Sequence, residues 1–483
     1  MGTITIVGLG PGDPRHLTRE AWGVLETASE VWLRTERHPT VAGLPPRLKL
    51  HSFDYLYEEA EDFLQVYATI AGQVLQLGAR PEGVIYAVPG HPLVGEATVR
   101  QILSQADAAG LRVHVVEGLS FVEPTLTALG VDALLGLQVC DAVELAARHH
   151  PPLDPDLPVL VGQLYSRALS ADVKLTLMNQ YPDGHGVVLV HAAGTPEQCV
   201  VRLPLYELDR RDDVAHLTAL YVPPLPGVNS FEGFQDTVAH LRAPDGCPWD
   251  REQSHESLRS TLLEEAYEVL AAIDAGDVQG LCEELGDLLL QVVLQTQIAT
   301  EEGEFKMIEV IAGIDAKLKH RHPHVWGAQA VKDTREVLQH WEELKREEKG
   351  QGQEYSALDG VPPALPALQQ ADTYSRRAAR VGFDWAAASG VADKVREEMA
   401  EVEAATSPEE REAELGDLLF AVVNWGRWLG IDVETALRKA NARFARRFRG
   451  MERMARQRGL DMAALTMDGL EALWQEAKSS DEE

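Results

Sequence analysis

One pattern of four acids is written twice in this chain, and a duplicated helical pattern obliges the fold to contain two like helical units. The first copy reads Glu264-Glu265-Ala266-Tyr267-Glu268, then Glu284-Leu285-Gly286-Asp287-Leu288-Leu289. The second reads Glu397-Glu398-Met399-Ala400-Glu401, then Glu414-Leu415-Gly416-Asp417-Leu418-Leu419. Acids spaced i, i+3 share one helix face. Around them apolar residues recur at helical period: Leu262, Leu263, Val269, Leu270 and Ile273, then Leu285, Leu288, Leu289, Val292 and Val293. The pattern predicts two amphipathic helices with acids at the edge of a buried face, and Gly276 and Gly280 as breakers between them. Antiparallel neighbours so joined bring four carboxylates to one point. Like charges that close repel unless a cation lies among them. Oxygen ligands without His or Cys select Mg2+, or Mn2+ as the alternative, over zinc. A solvated acidic face accounts for one such pair, but it does not account for the same Glu-Leu-Gly-Asp-Leu-Leu core twice.

Further motifs surround the two copies: Gly246-Cys247-Pro248-Trp249-Asp250, Arg321-His322-Pro323-His324-Val325, Ser356-Ala357-Leu358-Asp359, Val381-Gly382-Phe383-Asp384-Trp385 and Lys439-Ala440-Asn441. With these, the stretch from about residue 230 onward resembles a tandem MazG-type nucleoside triphosphate pyrophosphohydrolase. The resemblance implies two all-α helical-bundle repeats, a homodimer, and Mg2+-dependent hydrolysis of nucleoside triphosphates to the monophosphate and pyrophosphate. It implies Glu398, Glu401, Glu414 and Asp417 as metal ligands in the second repeat, and Glu265, Glu268, Glu284 and Asp287 in the first. Glu397, or Glu264 in the other copy, is the candidate general base for the attacking water. Lys394, Arg443, Arg446, Arg447, Trp474 and Lys478 are the implied nucleotide contacts. Arg443 stands where the family often has Lys, which keeps the charge and alters its shape. The first repeat has Lys317, Lys319 and Arg321 at the comparable place, beside His320, His322 and His324. Those histidines read as structural, because Pro323 interrupts them and no Cys or acid completes a zinc set. Trp249 and Trp385 read as core aromatics, and Asp250 with Gln253 as a capping box.

The first 222 residues follow another grammar. A β-rich run, Thr3 to Val7, ends in Gly8-Leu9-Gly10-Pro11-Gly12-Asp13-Pro14, followed by a helix at Thr18 to Ala28 and a strand at Val31 to Leu33. Strand, glycine loop and helix then alternate, as in an α/β domain. The first loop is neither a P-loop nor a dinucleotide fingerprint. Taken with Ala87-Val88-Pro89-Gly90-His91-Pro92-Leu93-Val94-Gly95-Glu96 and Val116-Glu117-Gly118-Leu119-Ser120-Phe121, it resembles the tetrapyrrole (corrin and porphyrin) methylases over residues 3 to 222. That resemblance implies a two-lobed α/β domain holding S-adenosylmethionine in the cleft, with Gly8, Gly10, Gly12, Asp13, Pro89, Gly90 and His91 as cofactor-binding candidates. Many active methylases carry Gly-Asp-Pro where this chain carries Gly90-His91-Pro92, and it is most similar to the YabN-like subgroup fused to MazG domains. Cofactor binding is therefore expected ahead of methyl transfer, with His91 a loop residue and not a base.

The expected division is a methylase-like domain at 1–222, a linker at 223–230, a first repeat at 231–349, a second linker at 350–366 and a second repeat at 367–483. Prolines mark both linkers. A net charge of -32 argues against nucleic acid polymers and anionic membranes as partners, because phosphate repulsion would go unopposed. Nucleoside triphosphates escape that objection by arriving with metal. Cys140, Cys199, Cys247 and Cys282 form no Cys-x-x-Cys pair. No apolar run reaches the ~20 residues that span a bilayer, and the chain opens directly on a strand, so a cytoplasmic protein is expected. The leading expectation is a pyrophosphohydrolase with an accessory methylase-like domain. The alternatives are a methyltransferase regulated by the helical half, and a non-catalytic ligand sensor.

Overall fold

The computed structural model describes residues 2–58, 63–327, 331–333, 336–337, 340, 344 and 356–480. It divides into two compact units, Met1–Asp315 and Ala316–Glu483.

The first unit opens with five parallel strands in the order β3-β2-β4-β1-β5: β1 Thr3–Gly8, β2 Glu30–Leu33, β3 Lys49–Ser52, β4 Val84–Val88 and β5 Arg112–Val116. A parallel sheet is covered on both faces, so its central strands are apolar on both sides. In β1, Ile4, Ile6 and Val7 are all fully buried. One face packs on helices α1 (Phe63–Gly78) and α2 (Ala97–Ala106) through Ile70, Val74, Val99 and Ile102. The other packs on Ala21 and Leu25 of the Arg19–Thr27 helix, whose expected start is set by Thr18 Oγ1 accepting from Ala21 N at 3.1 Å. A second, mixed sheet has the order β6-β7-β10-β8-β9, with β6 Gln138–Asp141, β7 Val159–Gly162, β8 Gly186–His191, β9 Cys199–Pro204 and β10 Thr218–Val222. Both of its faces are also packed.

The expected linker at 223–230 is held down. The Asp156 carboxylate accepts from Asn229 N at 2.8 Å, Ser230 N at 3.0 Å and Ser230 Oγ at 2.6 Å. Ser230 then caps the helix α3 (Phe231–Arg242), followed by α4 (Pro248–Arg251), α5 (Arg259–Ala275), α6 (Val278–Glu302) and α7 (Met307–Arg321). In the second unit lie α8 (Ala367–Arg380), α9 (Ala388–Ala404), α10 (Pro408–Trp428), α11 (Val433–Gln457) and α12 (Met467–Ser479). Residues 350–355 of the expected second linker, and 345–349 at the end of the expected first repeat, lie outside the described residues.

Several local expectations are corrected. Gly276, at φ 66°, ends α5, but Gly280 lies inside α6, where its N–H bonds the capping Asp277. Pro248 starts α4 early, so Asp250 falls within that helix and forms no capping box; Gln253 Nε2 instead bonds the Trp249 carbonyl. Trp249 and Trp385 are 61% and 45% exposed and are not core. The apolar face expected to be buried around the acids is largely open: Leu262, Leu263, Leu270, Ile273, Leu285, Leu289 and Val292 are exposed, while Val293 is buried. A helix pair two elements thick covers its apolar stripe only where a third element lies on it. In the first unit α3 packs on the far half of α6, through Val238, Val293, Leu294 and Ile298.

Candidate metal centres and glycine-loop cleft

The α5–α6 hairpin places one carboxylate oxygen each from Glu265, Glu268 and Glu284 within 4.8 Å of one another. Asp287 lies outside that trio, yet its charge reaches both Glu265 and Glu284. Burial first, and then the facing charges, raise the Glu265 and Glu284 carboxyls above the usual carboxylate range. Glu264, the expected base, is exposed beside them.

The α9–α10 hairpin repeats the arrangement with Glu398, Glu401 and Glu414, again within 4.8 Å. α10 begins on a full capping box, Ser407 with Glu410, which sets the register of the second acid pair. Glu398 is 4% exposed, and its Oε2 is buried with no hydrogen-bond partner. Its other oxygen meets Lys394 Nζ at 2.7 Å, and the same ammonium bonds Glu397 Oε1 at 2.8 Å. Those two acids hold the Lys394 pKa above its ordinary value, the Glu397 bond foremost. Glu401 is raised by burial and by the charge of Glu398. Asp417 is exposed one turn beyond Glu414 and is not in the trio. A crowd of hard donors with raised carboxyl pKa values at each hairpin, joined at the second by an orphaned buried oxygen of Glu398, fits a divalent cation.

Of the implied nucleotide contacts, Lys394 is therefore brought to the acids. Arg443, Arg446 and Arg447 ride on α11, against which α12 packs with Trp474 and Lys478. Trp474 stands 5.3 Å from the Phe444 ring, and Phe444 stacks on Phe448 at 5.9 Å, which makes an aromatic surface among those cations. Of the cations after the first hairpin, Lys317 stands on α7. His322 Nδ1 meets the Leu318 carbonyl at 2.7 Å, and the His322 and His324 rings are 5.6 Å apart; neither belongs to a ligand group among the described residues.

The three glycine loops converge in the first unit. Gly10 and Gly90 exchange backbone hydrogen bonds, at 3.2 and 2.8 Å. A Cβ on Gly8 would lie 2.6 Å from the Gly90 carbonyl, and one on Gly118 2.3 Å from the same oxygen, so only glycine allows the three chains to approach so closely. Gly12 has φ +141° and Gly90 has φ +65°. Asp13 is occupied: Arg15 bonds it from backbone and side chain, which pulls its pKa down to about 2. His91 Nδ1 accepts from Leu93 N at 3.0 Å, beside half-buried Pro89.

Two positions here escaped the sequence reading. Gln163 and Ala192, at the ends of β7 and β8, are the non-glycine residues with positive φ among the described residues, at 61° and 47°. Gln163 Nε2 reaches across to the Gly95 carbonyl at 2.6 Å and ties the second sheet to the second glycine loop. Strain of this kind gathers at ligand sites, and nothing in side-chain pattern announces it.

Comparison with known proteins finds two families, one in each part of the sequence. The family model for tetrapyrrole (corrin/porphyrin) methylases matches residues 3–209, and that for the MazG nucleotide pyrophosphohydrolase domain matches residues 253–326. The chain is 41% identical to the uncharacterized protein YabN of Bacillus subtilis, over 99% of both chains. It is 45% identical to a nucleoside triphosphate pyrophosphohydrolase of Escherichia coli K12, over 52% of this chain and 98% of that one. It is 43% identical to the nucleoside triphosphate pyrophosphohydrolase/pyrophosphatase MazG of Thermotoga maritima, over 52% and 97%. Among solved structures, uroporphyrin-III-C-methyltransferase from Thermus thermophilus aligns at 22% identity and a TM-score of 0.36, over 46% of this chain and 92% of that one.

Proposed function

The chain belongs to the family that joins a tetrapyrrole methylase domain to MazG nucleotide pyrophosphohydrolase domains, and we propose that it hydrolyses nucleoside triphosphates to the monophosphate and pyrophosphate. The observation that carries this reading is the trio Glu398, Glu401 and Glu414, with one buried carboxylate oxygen left without a partner. Mg2+, or Mn2+, would be held there with Asp417, and at Glu265, Glu268, Glu284 and Asp287 in the other hairpin. Bound there, the ion would offset triphosphate charge and lower the pKa of the attacking water. Glu397 takes the proton from that water, and Lys394 Nζ on Glu397 Oε1 fixes the direction in which its carboxylate points. Glu264 has the same place in the first hairpin without such a lysine. Arg443, Arg446, Arg447 and Lys478 answer phosphate charge, and Trp474 with Phe444 offers an aromatic surface to the base.

The glycine loops favour a second ligand. Backbone approach at Gly8, Gly10, Gly12, Gly90 and Gly118, beside Asp13, Pro89 and His91, supports S-adenosylmethionine binding within a domain at 1–222. Methyl transfer as the main activity, with the helical half regulating it, is the second reading. The open apolar faces of both hairpins support a homodimer, in which a second copy covers them. Unpaired cysteines support a cytoplasmic protein, and no helix of the described residues is long and apolar enough to cross a membrane. Repeats at 231–349 and 367–483, with linkers at 223–230 and 350–366, complete the assignment.

The test is product analysis with a panel of nucleoside triphosphates and Mg2+, for wild type, Glu398→Gln and Glu265→Gln. Expected are pyrophosphate and a nucleoside monophosphate, with Glu398→Gln slower by more than about 100-fold, the loss that even an outer-shell partner of a metal can cause. Glu265→Gln should lose less, because the second hairpin has Lys394 and the fuller cationic set. Orthophosphate as the only product would refute the reaction, and equal losses would refute the ranking. S-adenosylhomocysteine formation without nucleotide turnover would favour the methyltransferase; ligand binding with neither product would favour a sensor.

A further inference from the structure

The first unit holds a donor set that the carboxylate hairpins do not use. His255, in the turn before α5, faces Glu302, the last residue of α6, and Glu304 beyond it; one ligand atom from each lies within 4.8 Å of the others. His255 Nε2 is 3.7 Å from Glu304 Oε2, is buried, and has no hydrogen-bond partner. The other ring nitrogen is committed, since Nδ1 hydrogen-bonds Gln295 Oε1. The same amide's Nε2 donates to the His255 carbonyl at 3.4 Å, which fixes which end of the amide faces the ring. An amide oxygen only accepts, so Nδ1 carries the proton and Nε2 is left with its lone pair free beside the Glu304 carboxylate. Metal-bound histidines are held in this way, by an outer partner on the far nitrogen.

A plain ion pair explains less. It requires a second proton on the ring, and it uses one carboxylate where two converge. Glu302 also ends a 25-residue helix, whose partial negative charge there favours a cation.

We propose that His255, Glu302 and Glu304 form a site for a divalent transition metal of the Zn2+ class, separate from the carboxylate centres. One imidazole and two carboxylates suit such an ion better than Mg2+, and three protein ligands leave one position open to water. Asp287 and Glu302 are 15 residues apart on α6, or about 22 Å along its axis, so the ion is not shared with the first hairpin. The metal staples the segment before α5 to the end of α6. Because α5 begins at Arg259, the staple governs where the helix bearing Glu265 starts.

The test uses full-length protein carrying Glu265→Gln and Glu398→Gln, which weakens the carboxylate centres, stripped of metal and titrated with Zn2+ by calorimetry and by thermal melting. One tight site and a Zn2+-dependent rise in Tm are expected. His255→Gln in that background should weaken the site more than tenfold and abolish the rise, and Gln295→Leu should weaken it by about 10- to 100-fold. His322→Ala should leave it intact. If circular dichroism shows His255→Gln unfolded, the exposed Glu304→Gln must give the same loss. Zn2+ binding unchanged in His255→Gln or Glu304→Gln, loss of the site in His322→Ala, or no tight site at all would overturn the proposal.

Discussion

Glu265, Glu284 and Glu401 hold their protons more tightly than a solvated glutamate, since burial and facing carboxylates both penalise the charged form. A raised carboxyl pKa means that the folded chain binds more protons than the unfolded one between the ordinary and the raised value. Metal-free stability should therefore fall as pH rises through that window. A bound divalent ion must displace those protons, so Mn2+ affinity should climb with pH from the ordinary glutamate range upward and level off above the raised values. Mn2+ titrations at a series of pH values check this, and a flat profile would contradict it. The identity and spacing of the acids were legible before any fold was known. That Glu398 is buried with one oxygen unmatched, or that Lys394 bridges Glu397 and Glu398, was not, because burial and side-chain reach depend on neighbouring turns and helices.

At the level of elements, ends are decided by a few side chains. Thr18, Ser407 and Asp277 each cap the helix that follows, and each is a residue type that competes for backbone N–H groups. Asp250 misled because Pro248 had already begun a helix two residues earlier. The Asp156 clasp on Asn229 and Ser230 is long-range and had no local signature. Asp156→Ala should destabilise the first unit by about 1–2 kcal/mol at neutral pH, through lost charge-assisted hydrogen bonds at a partly exposed site. The Ser230 bond leads in lowering the Asp156 pKa, so the clasp is complete above the ordinary Asp range and is lost as pH falls through the lowered value. Thermal melts should then show the gap between wild type and variant closing in acid.

For the whole molecule, the open apolar surfaces matter most. Leu289 is 41% and Leu419 51% exposed on equivalent faces of the two hairpins. Exposed leucines in rows on both hairpins are what an interface looks like before its partner is added. Light scattering should give the wild type twice its chain mass of 53.1 kDa, and the double variant Leu289→Glu, Leu419→Glu the single mass with helical content retained. A wild-type monomer would refute the dimer.

By itself, the sequence determined the α/β half with its three glycine loops, the two helical hairpins and the acids they carry, because period and spacing act within a few residues. Only the tertiary structure decided which of those acids converge, which apolar faces stay open, and that Gln163 and Ala192 take strained backbone beside the loops. Period shows that a helix has an apolar side; what lies on that side depends on contacts between distant segments, and those exist only once the chain has folded.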